Sequence, residues 1–249
     1  ITAEVRKITQ NPEEQKRIFT LFARMYQSYP AFKELIKNNQ LPLENVPLLI
    51  PALHELQKCG LPVASEGLCD RCSVEPPSFR SLRAWAAFDF PVRQALHKLK
   101  YRRDMGLGDA LAVPIARFME ALGWPLDMVL PVPLGRKRMQ ERGYNQVDLI
   151  ARPLSLALGL DYQPAALKRT RDTVSQVGLS AVERRDNMQN AFVADSLIVR
   201  GKTILVMDDV STTGSTLSSC SDALLQAGAK DVFALTVARA LPHHGLHQV

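Results

Sequence analysis

Residues 204–216, Ile-Leu-Val-Met-Asp-Asp-Val-Ser-Thr-Thr-Gly-Ser-Thr, constrain the fold more than any other stretch of the chain. Four apolar residues without polar alternation read as a strand covered on both faces, which implies a parallel sheet with helices on either side. Asp208 and Asp209 stand at its end, and Ser211, Thr212, Thr213, Gly214, Ser215 and Thr216 then bring five hydroxyls around one glycine before a helix begins. Such an order builds an anion cradle, because successive backbone N–H groups and the positive end of a helix face one point. Adjacent acids at a strand end repel unless a cation or a sugar diol occupies the site. Five hydroxyls also exceed what one helix cap needs. The blander alternative, a buried strand followed by a capped helix, accounts for neither excess. A Walker A loop is excluded because no Gly-Lys-Ser/Thr follows the glycine, and GxGxxG because one glycine is present.

The rest of the C-terminal two thirds alternates in the same way. A strand is expected over 84–88, and a helix over 91–100 with Val92, Ala95, Leu96 and Leu99 inward. A second helix is expected over 109–122 with Gly123 as C-cap, then a strand over 128–133 running into a loop. A helix over 146–158 despite Pro153, a central strand over 204–207, a helix over 216–227 ended by Gly228 and a strand over 232–238 complete the pattern. Alternating strands and helices predict an α/β fold with a parallel, doubly wound sheet, whose ligands bind at the carboxyl ends of the strands.

The N-terminal third reads differently. Asn11-Pro12-Glu13-Glu14 is a helix start, with a capping side chain, a proline at the first helical position and acids at the positive end of the dipole. Residues 1–50 therefore read as a helical extension packed on the main domain, a partner-binding helix pair being the alternative. Residues 51–80 are proline-rich and irregular and hold Cys59, Cys69 and Cys72. A zinc knuckle needs four soft ligands, usually two CxxC pairs. Only Cys69-Asp-Arg-Cys72 is such a pair; Leu56 stands where a partner of Cys59 would be, and His54 is the nearest substitute. Zn²⁺ on Cys59, Cys69, Cys72 and His54 is one reading, and a degenerate, metal-free knuckle the other. Residues 81–241 form the main domain and 242–249 a tail. Cys220, on the helix after the hydroxyl loop, reads as a small buried hydrophobe.

At 249 residues and 46% hydrophobic, the chain can bury a substantial core. No run of apolar residues is long enough to span a bilayer, so no membrane insertion is expected. The chain does not open on a secretory signal pattern, and its four cysteines suit a reducing compartment, so the expected location is the cytoplasm. A formal charge of +6 suits an anionic partner. Part of it lies in Arg136, Lys137, Arg138 and Arg142, four cations within seven residues after a predicted strand. That loop should open on the same edge as the hydroxyl loop, where arginine forks match phosphate oxygens; a solvated basic turn is the alternative. The polar stretch 168–187 between the two loops reads as a mobile flap or an ordinary surface loop.

Residues 204–216 resemble the phosphoribosyl pyrophosphate (PRPP) loop of type I phosphoribosyltransferases. That resemblance implies that Asp208 and Asp209 hold the ribose hydroxyls near Mg²⁺-bound pyrophosphate, and that Ser211 to Thr216 wrap the 5′-phosphate. Further stretches are Cys59-Gly-Leu-Pro, Cys69-Asp-Arg-Cys72, Leu99-Lys-Tyr101, Pro131-Val-Pro133 and Arg142-Gly-Tyr-Asn-Gln146. With Lys168-Arg-Thr170, Gln176, Arg184-Arg185, Asn190-Ala-Phe192 and Val206 to Gly214, the set resembles the ComF/GntX family from about Cys59 to Ala240. The family implies a phosphoribosyltransferase-like domain behind a zinc knuckle, linked in many bacteria to natural transformation and the use of external DNA. Leu56 and residues 1–50 depart from it. Three readings follow: a Mg²⁺-dependent phosphoribosyltransferase with Arg136, Lys137, Arg138 or Arg142 on pyrophosphate; a DNA-uptake accessory binding single-stranded DNA or a competence helicase; and a PRPP sensor without turnover.

Overall fold

The computed structural model describes residues 58–60, 70–88, 91–102, 104, 106–170 and 191–240. The expected helical extension over 1–50, the segment 171–190 and the tail lie outside the described residues. Helix α1 is Asp70–Val74 and strand β1 is Ser81–Ala87. Helices α2 (Val92–Tyr101) and α3 (Gly106–Leu122) lead to β2 (Met128–Pro131), and α4 (Arg136–Arg142) and α5 (Asp148–Leu158) to β3 (Asp161–Tyr162). An antiparallel pair, β4 (Leu167–Arg169) and β5 (Phe192–Ala194), and helix α6 (Ser196–Val199) follow. The chain then enters β6 (Thr203–Ser211), α7 (Ser215–Gln226) and β7 (Asp231–Arg239).

Five strands form one parallel sheet in the order β1-β7-β6-β2-β3. The expected doubly wound α/β sheet is therefore present. Its central strand β6 is buried on both faces because its pleat feeds two cores. Leu205 and Met207 join Leu96 and Leu99 of α2, Ile115 of α3 and Ile150 and Leu154 of α5. Ile204 and Val206 join Leu217, Cys220 and Leu224 of α7 on the other face. Cys220 is a buried apolar filler there, as its sequence position suggested.

The crossover from β2 to β3 runs over one face through α5, and that from β6 to β7 over the other through α7. The chain therefore turns away in opposite directions from the adjacent strands β2 and β6, leaving a crevice at their carboxyl ends. The acidic strand and the cationic segment meet the same edge, as expected. The first strand starts three residues before its expected position, at Ser81, the helix expected from 109 starts at Gly106, and two further differences bear on the site. Residues 136–142 form a helix rather than a loop. Strand β6 continues to Ser211 because β7 stays paired with it to Arg239, so the two acids lie inside the strand. Strands β3 to β5 are too short for periodicity to announce them.

Helices α3 and α5 pack closely at Gly108, where a Cβ would stand 2.3 Å from the Leu149 carbonyl oxygen. Alanine is the better helix former by about 1 kcal/mol, but this clash is with backbone and forces the helices apart. Gly108→Ala is expected to lower stability by about 1–3 kcal/mol, read as a lower denaturation midpoint; an unchanged midpoint would contradict the packing described.

Candidate ligand site at the carboxyl edge of the sheet

The hydroxyl loop turns from β6 into α7 at Gly214, whose φ of 79° is left-handed and which serves as the helix N-cap. A Cβ there would meet the Phe79 ring at 3.6 Å, an ordinary contact, so it is the left-handed conformation that selects glycine. Gly214 brings no capping side chain to α7. Thr213 Oγ1 instead accepts the Ser215 N–H at 3.3 Å and lies 2.8 Å from Ser215 Oγ. Ser211 is 5% exposed, and its Oγ has no hydrogen-bond partner among the described residues. A buried hydroxyl left unpaired costs about 1–3 kcal/mol. A buried donor beside the start of a twelve-residue helix fits a phosphate group. Thr212 and Thr216 belong to the same turn.

The pleat separates the two acids. Asp208 continues the row of Ile204 and Val206, and Asp209 that of Leu205 and Met207. Asp209 is buried at 7% exposure and its Oδ2 meets Lys100 Nζ at 2.8 Å. Gln146 Nε2 donates to the same oxygen at 2.9 Å. Burial alone would raise the Asp209 pKa, but Lys100 and these hydrogen bonds hold it below the ordinary aspartate value. Asp208 accepts the Asp209 N–H at 2.8 Å and has no ion-pair partner among the described residues. Burial, then the charge of Asp209, pushes its pKa up to about 7. The repulsion expected of adjacent acids falls on Asp208, whose pKa the charge of Asp209 raises. Among the described residues Lys100 forms an ion pair with Asp209, while Asp208 feels Lys100 and Arg138 only through their charge. Thr236, in register with Asp208 on β7, is fully buried, and its Oγ1 also lacks a partner among the described residues.

The cationic segment divides as well. Arg136, Lys137 and Arg138 on α4 are exposed, and the charge of Arg138 reaches Asp208. Arg142 is turned toward α2: its guanidinium lies 5.2 Å from the centre of the Tyr101 ring and donates to Gln146 Oε1 at 2.6 Å. The Tyr144 hydroxyl donates to the Leu99 carbonyl, and Asn145 Nδ2 to the Val132 carbonyl at 2.9 Å. Arg142-Gly-Tyr-Asn-Gln146 thus ties the end of β2, α2 and β6 together, with all four of its side chains spent on framework. Lys100 was not among the sequence-derived site residues. Its only signal was its place in Leu99-Lys-Tyr101, because nothing local says that a lysine will meet an aspartate 109 positions away.

Cys59 and Cys72 are both buried, and the Cys59 carbonyl accepts from Arg239. Cys69 and His54, the other candidate zinc ligands, lie outside the described residues.

Residues 143–245 match the Phosphoribosyl transferase domain family. The DNA utilization protein YhgH of Escherichia coli O157:H7 is 38% identical over 191 residues, 74% of this chain and 83% of that protein. Competence protein F of Haemophilus influenzae is 32% identical over 183 residues, covering 69% and 78% of the two chains. Competence protein ComFC of Bacillus subtilis is 25% identical over 195 residues, covering 75% and 78%.

A raised aspartate pKa stabilises the fold as the acid and opposes it as the anion. For Asp208 that contribution is fully present below about pH 4 and is lost as pH rises through about 7. Asp208→Asn is therefore expected to raise the melting temperature of the unliganded protein at pH 8, by about 1–2 kcal/mol in stability, and to leave it nearly unchanged at pH 4.5. Equal shifts at both pH values would contradict this electrostatic picture.

Proposed function

Because the chain belongs to the ComF family of competence and DNA-utilization proteins, with a phosphoribosyltransferase-like domain, we propose that it binds PRPP together with Mg²⁺ at the carboxyl edge of β6. The observation that carries this reading is that the carboxyl end of β6, just before the start of α7, holds both Asp208, a carboxylate without an ion-pair partner among the described residues, and Ser211, a buried hydroxyl without a hydrogen-bond partner among them. The 5′-phosphate would take the Ser211–Thr216 turn, and the ribose diol the acidic edge. The pyrophosphate would take Arg136, Lys137 and Arg138. Mg²⁺ would neutralise the pyrophosphate, held by its oxygens and by Asp208.

Phosphoribosyl transfer breaks the bond from ribose C1 to pyrophosphate and forms one to an acceptor, through a cationic ribose. The protein's part is to hold the diol, keep the phosphates apart and accommodate the leaving charge. A cytoplasmic setting, the compartment of free nucleotides, belongs to the same reading. No helix among the described residues is long and apolar enough to cross a membrane.

One feature supports a nucleic-acid role beside PRPP binding. Tyr101 is 63% exposed, with His97 at 4.7 Å and the Arg142 guanidinium at 5.2 Å from its ring centre. An exposed ring between an imidazole and a guanidinium suits stacking of unpaired bases; the relatives' names speak of DNA utilization and competence, and single-stranded DNA, alone or handed over by a helicase, is the partner of this reading.

Isothermal titration of the wild-type protein with Mg·PRPP is expected to show saturable binding. Asp208→Asn should weaken it at least about tenfold and Ser211→Ala about fivefold. Absent wild-type binding, or unchanged affinity in both variants, defeats the proposal. Pyrophosphate release across a panel of bases then separates transfer from sensing. For the nucleic-acid role, Tyr101→Ala is expected to weaken single-stranded DNA binding about tenfold at low salt; equal affinity would remove Tyr101 from that interface.

A further inference from the structure

The carboxylate of Asp209 is held from three directions. Lys100 and Gln146 share its Oδ2, and the Val210 N–H also donates to the carboxylate. Each holder is itself held. Lys100 sits at the last turn of α2, whose Leu99 carbonyl accepts from Tyr144. Gln146 receives Arg142 on its Oε1, and Arg142 lies over Tyr101, the residue after Lys100. The arrangement closes on itself, from Asp209 through Gln146, Arg142, Tyr101 and Lys100 back to Asp209. Asp208, one residue earlier, faces the other side of the sheet beside Thr236 and makes no such ion pair among the described residues.

We propose that Lys100 and Gln146 are positioning residues that lock Asp209 as a framework carboxylate, so that Asp208 is the acid presented to the ligand. This assignment rests on the PRPP reading for its ligand, though not for its geometry. A carboxylate oxygen already shared by an ammonium and an amide has little capacity left for a metal or a diol. Asp208 keeps most of its acceptor capacity. The two acids of the motif therefore perform different tasks. Arg142-Gly-Tyr-Asn-Gln146 serves the site indirectly, by fixing the one that does not move. Lys100 acts through Asp209 and need not touch the ligand.

A pair of double-mutant cycles between Lys100 and Asp209 tests this, with Lys100→Met, Asp209→Asn, the double variant and Lys100→Arg. The first readout is the melting temperature without ligand. Each single variant is expected to fall, because one buried charge loses its partner, and the double variant to fall by less than the sum. The second readout is Mg·PRPP affinity by titration. Lys100→Met should weaken it about tenfold, in the range seen when the support of a ligand-binding side chain is removed. Lys100→Arg should restore it, and the Lys100→Met loss should vanish in the Asp209→Asn background. The loss in Asp208→Asn should exceed that in Asp209→Asn. An equal Lys100→Met loss in both backgrounds would show that Lys100 contacts the ligand directly, and additive melting shifts would show that there is no lock; either overturns the proposal. If wild-type protein does not bind Mg·PRPP, the PRPP reading fails, while the melting cycle between Lys100 and Asp209 still decides the lock.

Discussion

The pleat of β6 is the constraint on which the ligand edge depends. One strand lies between β7 and β2 and under helices on both faces, so its odd and even side chains are committed to different cores. That commitment cannot stop where the apolar residues stop. Asp208 and Asp209 inherit it, and the two charges emerge on opposite sides of the sheet. A one-residue slip would exchange them and expel both cores together. The hydrophobic packing of Ile204 to Met207 therefore fixes which acid meets Lys100 and which faces α7.

Around that strand, polar groups are distributed unevenly. Lys100, Asp209, Gln146 and Arg142 are joined in a connected network, and Asn145 and Tyr144 beside it bond the backbone carbonyls of Val132 and Leu99. Ser211 Oγ and Thr236 Oγ1 are buried without partners among the described residues, and Asp208 is burdened by burial and by its neighbour's charge. Buried groups in low dielectric are costly when unpaired and rigid when fully paired. The same few ångströms thus hold a stiff frame and a cluster of unmet polar demand. Fold stability alone favours filling such demand with apolar groups, so its position at the switch point of the sheet is what a ligand site requires.

The positive charge follows the same logic. Arg136, Lys137 and Arg138 stay exposed on α4, where they can meet an anion without prior desolvation, while Arg142 is drawn into the frame by Tyr101 and Gln146. Tyr101 consequently stands at the boundary between the ligand edge and an outer basic surface. In the proposed function the two chemistries, phosphoribosyl binding and DNA binding, would adjoin one another through a single helix end.

The sequence by itself determined the strand-loop-helix of 204–216, the parallel sheet and the joining of the acidic and cationic segments at one edge. Unbroken apolar runs, a glycine between hydroxyls and the alternation of elements are local properties, legible without coordinates. The composition of that loop also pointed to a phosphate cradle, because five hydroxyls exceed what one helix cap needs. Only the tertiary structure decided that the acids are unequal, that Lys100 neutralises one of them, that Arg142 belongs to the frame and that Thr236 stands beside Asp208. Each of these depends on which residues from distant segments share a pleat or a helix end. Lys100 and Asp209 are 109 positions apart, and their contact is set by how α2 packs on the sheet, which no local pattern encodes.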